Sequence, residues 1–155
     1  MGAACCAFTA KTFIQPPKEG MTMTDNEVLE ILKKVTKCEN IILYDSIYST
    51  IERDEVVQYL RLNVNYGYVK EKYDCDNYSN SLMTRIHEWA YPADNKGGLL
   101  FGILNGDLRL EANADSRPHS VCFFIDHNKE FFIVDGMYNH LLKFEEFMTA
   151  WSIIV

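Results

Sequence analysis

A thiol, an imidazole and a carboxylate follow one another along this chain as Cys75, His119 and Asp135. Acyl transfer through a thioester uses all three types: the thiolate attacks, the imidazole takes and returns the proton, and the carboxylate orients the imidazole. Cys75 lies in Tyr73-Asp74-Cys75-Asp76-Asn77-Tyr78-Ser79, where Asp74 reads as a helix N-cap and Cys75 as the first helical residue. Unpaired N–H groups and the dipole at such a terminus favour a thiolate. The flanking carboxylates of Asp74 and Asp76 oppose it, so a proton-accepting histidine is needed all the more. Taken singly, each residue has a plainer role: a small buried cysteine, a surface or hydrogen-bonded histidine, and a turn aspartate before Gly136.

The elements that must position them follow from periodicity. Thr24-x-x-Glu27 is a capping box that opens a helix to about Lys37, with Val28, Leu32 and Val35 on one face. Ile41 to Tyr48 fits a short strand or a packed loop. Ser49-x-x-Glu52 reads as a second capping box, starting a helix to about Leu62 with Val56, Val57 and Leu60 inward. Tyr78, Leu82, Ile86 and Trp89 then form the apolar stripe of the cysteine-bearing helix, which Pro92 ends. Beyond it the period becomes two, predicting strands at about 99–104, 107–112, 120–125 and 130–134. Asn105-Gly106 and Asp126-His127-Asn128-Lys129 read as hairpin turns, and Phe144 to Trp151 as a short helix. Helices first and an antiparallel sheet second predict an α+β fold, with 1–23 as an N-terminal arm and 24–155 as a single domain.

Whether His119 and Asp135 meet depends on one turn. A three-residue loop, His127–Lys129, pairs Asp126 with Glu130 and sets Asp135 across from Val121, on the face of His119 and diagonal to it. A four-residue loop moves Asp135 to the opposite face.

Composition narrows the partners. The 155 residues are 48% hydrophobic and 24% charged, ordinary for one globular domain. A net charge of −7 without a Lys/Arg run argues against nucleic-acid binding. The five cysteines, Cys5, Cys6, Cys38, Cys75 and Cys122, show no C-x-x-C spacing, so reduced thiols in a cytoplasmic setting are the simpler reading. Neither a secretory signal nor a membrane-spanning run is expected. Gly2 with Cys5 and Cys6 offers the two sites of a lipid anchor, but Cys6 stands where the motif prefers Ser or Thr, and a simple tail is the plainer reading. No metal or organic cofactor is expected. A zinc site on Cys75, His119 and Asp135 is chemically feasible but lacks dense ligand spacing.

Cys75-Asp76-Asn77-Tyr78-Ser79 resembles the Cys-x-Asp-aromatic-small motif of the transglutaminase-like superfamily, His119-Ser120-Val121 its His-Ala-aromatic strand, and Asp135 its strand-end Asp. The resemblance covers roughly 66–137 and departs at Asn77 and Ser120. It implies a papain-like fold and a cysteine protease-like hydrolase, deamidase or transamidase, with Cys75 as nucleophile, His119 as general base and acid, and Asp135 as orienter. No residue before Cys75 clearly supplies an oxyanion donor; Asn65, Tyr66 and Gln58 are candidates. Tyr66, Tyr68, Tyr73 and Asn65 would line a cleft for a peptide, protein or glycan. The rival expectation is a non-catalytic module for glycan or protein recognition, or a component of a larger assembly, with the tyrosines as its contact surface.

Overall fold

The computed structural model describes residues 14–62, 74–92, 96–108, 117–143 and 148–155. Its element order is β1 (Thr22–Thr24), α1 (Asp25–Thr36), β2 (Ile41–Ile42), β3 (Ile47–Ser49), α2 (Arg53–Leu62), α3 (Cys75–Ala90), β4 (Gly98–Leu99), β5 (Phe101–Leu108), β6 (Arg117–Ile125), β7 (Phe131–Asp135), β8 (His140–Lys143) and β9 (Met148–Ile154). This is an α+β architecture. Its strands form a six-stranded sheet, β2-β9-β5-β6-β7-β8, and a small sheet, β1-β3-β4. Both sheets are mixed, because β2 runs parallel to β9 and β3 parallel to β4. The expected antiparallel sheet is corrected accordingly.

Helix α1 starts as its capping box dictates: the Glu27 N–H donates to Thr24 Oγ1 at 3.3 Å and the Thr24 N–H to Glu27 Oε2 at 2.9 Å. It ends where Lys37 turns left-handed at φ 58. Helix α2 begins four residues after Ser49, whose side chain is buried in β3. Strand pairing with β1 has claimed the expected cap, and Tyr59, not Val57, joins Val56 and Leu60 in the core. The unassigned stretch from Ile41 to Tyr48 supplies β2 and most of β3.

Strand β6 explains why the sheet is covered on both sides. Val121, Cys122, Phe123, Phe124 and Ile125 are all fully buried, the continuous run of a strand buried on two faces. Val121, Phe123 and Ile125 join Val28 and Leu32 of α1, whereas Cys122 and Phe124 join Val56 of α2 and Leu82 and Ile86 of α3. Burial pushes the Cys122 thiol far above the ordinary cysteine range.

Two expectations fail around β5. Asn105-Gly106 is no turn; both residues lie inside β5, which pairs with β6 on one side and β9 on the other. Gly106 serves close approach, since a Cβ there would collide with the Thr149 carbonyl oxygen. The segment ending at Trp151 is a strand from Met148 onward; the 144–147 part of the expected helix and the 109–112 part of an expected strand lie outside the described residues. β9 forms because β5 offers it an edge, a tertiary partner that outweighs local preference. Between Asn105 and Gly106 the β5–β9 ladder shifts, with Ser152 opposite Asn105 and Ala150 opposite Gly106, so Trp151 is the extra residue of a β-bulge.

Candidate functional site

The β6–β7 hairpin has the three-residue loop. Asp126 N–H donates to Glu130 O at 3.0 Å, and Lys129 adopts φ 62, the left-handed residue such loops use. Buried Asp126 fixes the turn: its Oδ1 accepts the N–H groups of Asn128 and Glu130, each at 2.9 Å. The ladder runs to Cys122 opposite Val134, so Asp135 follows opposite Val121. His119 Nε2 then lies 3.4 Å from Asp135 Oδ2. A carboxylate only accepts, so the tautomer with Nε2–H is the one assigned. The other oxygen of Asp135 accepts the Met137 N–H at 2.9 Å. Side-chain exposure is 17% for His119 and 3% for Asp135, so the pair is largely shielded from water.

Cys75 opens α3, half-buried, behind the N-cap Asp74, whose N–H donates to Asn77 Oδ1 at 3.4 Å. A side-chain hydrogen bond with Asp74 holds the Asp76 carboxyl below the usual carboxylate range. One turn on, Ser79 Oγ donates to Ser120 O at 2.9 Å, and Cys122 Sγ donates to Ser79 O at 3.1 Å. These bonds lay α3 on the Cys122 face, while alternation assigns His119 to the Val121 face. Among the described residues no hydrogen bond joins the Cys75 thiol to His119 or Asp135, and no group of three or more His, Cys, Asp or Glu side chains could hold a metal ion. The structure therefore brings His119 and Asp135 together without Cys75 in one hydrogen-bonded chain.

Other expected residues fall elsewhere. Gln58 lines a cleft of about 500 Å³ along α2 with Arg53, Asp54, Val57, Arg61 and Leu62. Tyr66, Tyr68, Tyr73 and Asn65 lie outside the described residues, as do Gly2, Cys5 and Cys6. No helix among the described residues is long and apolar enough to cross a membrane.

A feature missed by sequence reasoning sits on β5 and β9. Ser120 Oγ donates to Asn105 Oδ1 at 2.8 Å and Asn105 Nδ2 to Ser152 Oγ at 3.2 Å, a polar row across three strands. On the same face of β5, Asp107 Oδ2 accepts the Trp151 indole N–H at 3.2 Å. Trp151 remains 46% exposed. The signal available was the β-rich run Thr149-Ala150-Trp151-Ser152-Ile153-Ile154.

No family model matches the sequence, and no curated protein does. Solved structures with a similar fold include the following two. One is PSL1a in complex with E64, at TM-score 0.69 and 16% identity, over 86% of this chain and 51% of that one. The other is Polyporus squamosus lectin bound to a human-type influenza-binding epitope, Neu5Aca2-6Galb1-4GlcNAc, at TM-score 0.69 and 14% identity, over 86% of this chain and 49% of that one. The chain thus spans about half the length of the structures it resembles.

The transglutaminase-like resemblance, with the thiol acyl-transfer reading and its hydrolase, protease and catalytic-triad terms, is corrected by the likeness of the fold to a structure described as a lectin bound to a glycan. The misleading motif has a structural origin. Asp74 and Asn77 cap α3, Tyr78 packs against Gly136, and Ser79 ties the helix to β6.

Proposed function

We propose that this chain is a non-catalytic recognition module whose ligand is a glycan. The observation that carries the reading is the likeness of 86% of the chain to a lectin whose structure holds a sialylated trisaccharide. The module comprises 24–155 as one domain with 1–23 as its arm, and Tyr66, Tyr68, Tyr73 and Asn65 contribute to its contact surface. Aromatic rings suit the apolar faces of sugars, and an amide suits their hydroxyls. Within this reading His119 and Asp135 brace the β6–β7 hairpin.

The test is a glycan array probed with the full chain, followed by titration of any hits. Saturable binding that Tyr66→Ala or Tyr68→Ala weakens supports the module. An array with no hits, from protein that melts cooperatively, overturns it and leaves a component of a larger assembly as the reading, consistent with a chain that matches half of a longer lectin.

A further inference from the structure

A ring held open to solvent beside a carboxylate is a standard way to meet a sugar: the ring takes the C–H face, and the carboxylate takes the hydroxyls at its edge. Trp151 and Asp107 provide both. Trp151 is the bulge residue of β9, so no residue of β5 stands opposite it in the ladder. Bulges re-aim side chains in this way. Its indole has a fixed direction, because the N–H is held by Asp107 Oδ2, yet 46% of the residue stays exposed. A buried tryptophan needs a partner for its N–H; a half-exposed one held by a carboxylate has an orientation set in advance, which lowers the entropy lost on binding.

The carboxylate has capacity left. Two oxygens accept about four hydrogen bonds, and the indole N–H uses one. Thr149, exposed and paired with Asp107 in the ladder, adds a hydroxyl beside it. Charge then selects the ligand. Asp107 repels a second carboxylate, and the net charge of −7 adds to that repulsion. We infer that Trp151 and Asp107 form a saccharide subsite for a neutral pyranose, stacked on the indole and hydrogen-bonded to the carboxylate. The inference rests on the glycan reading above, adds residues outside the tyrosine stretch, and sets a preference against acidic sugars.

The experiment titrates the full chain with N-acetyllactosamine and with its α2-6-sialylated form, following tryptophan fluorescence and heat. Wild type is compared with Trp151→Ala, Trp151→Phe, Asp107→Asn and, as a control at another exposed ring, Tyr91→Ala. The subsite predicts tighter binding of the neutral sugar, a loss of about tenfold or more in Trp151→Ala, partial rescue in Trp151→Phe, and no change in Tyr91→Ala. The fluorescence change should vanish in Trp151→Phe, although Trp89 remains. Asp107→Asn should narrow the gap between neutral and sialylated sugars. If Trp151→Ala does not fold, Trp151→Phe and Asp107→Asn carry the test. Binding unchanged in both overturns the subsite while leaving the glycan reading in place. Tighter binding of the sialylated sugar overturns the neutral class. Failure of the wild type to bind either sugar overturns the subsite, and only a blank on the full array overturns the glycan reading itself.

Discussion

The β6–β7 hairpin and the β5–β9 pair belong to one sheet, and each ties an aspartate to a nitrogen-bearing ring, but they are built for opposite ends. Asp135 is shielded, shares its oxygens between His119 and the Met137 N–H, and faces little water. Asp107 holds the indole of a half-exposed Trp151 and keeps room for further donors. One aspartate has both oxygens engaged within the fold and is shut off from water. The other has bonding to offer a ligand. Residue type alone does not separate these roles; exposure and partner count do.

The largest effect should come from breaking the shielded pair. Asp135→Ala strands His119 and the Met137 N–H, at a cost of roughly 2–4 kcal/mol in urea unfolding. Asp135→Asn, which still accepts from Met137, should cost less. If Asp135→Ala unfolds like wild type, the contrast between the two aspartates collapses.

Next is Gly106→Val, which drives a branched side chain into the Thr149 carbonyl where β9 approaches. A loss of about 1–3 kcal/mol is expected, together with a change in Trp151 fluorescence as β9 shifts. An unaltered spectrum would mean that β9 does not depend on that close approach.

Away from both strand pairs, Thr24→Ala removes the α1 cap and should cost about 1 kcal/mol. The cap also sets a pH dependence. Backbone bonding at Thr24, aided by Lys129, holds the Glu27 carboxyl below its ordinary value. A depressed carboxylate contributes stability that is present above its unfolded value and lost as pH falls through the folded one. Thr24→Ala keeps that backbone N–H, so the variant that tests the pH dependence is Glu27→Gln, which should show a shallower loss on the acid side than wild type in thermal melts from neutral pH downward. An equal slope in both proteins would contradict this.

How legible each region was follows from how local its determinants are. Asp74, the stripe Tyr78-Leu82-Ile86 and the Pro92 stop lie within one segment, and α3 spans the expected residues. The His119–Asp135 contact hung on a single loop length, and a short hairpin is local too. β9 was not legible. Its partner β5 is remote in sequence, and Asn105-Gly106 carries a turn signature that only the neighbouring Thr149 backbone explains away. Trp151 and Asp107 stayed hidden for the same reason, since no local pattern sets them side by side. The catalytic reading failed differently: capping and packing at the start of α3 ask for much the same residues as a thiol motif does.

Cys75→Ser gives the smallest expected effect and the most direct test of glycan recognition without thiol chemistry. It swaps sulfur for oxygen at a half-buried helix start with no hydrogen bond to His119. Calorimetric titration of wild type and Cys75→Ser with the same array-selected saccharide is the measurement. The account predicts saturable binding with equal affinity in both proteins. Absence of binding in the wild type, or its loss in Cys75→Ser while the fold persists, would contradict it.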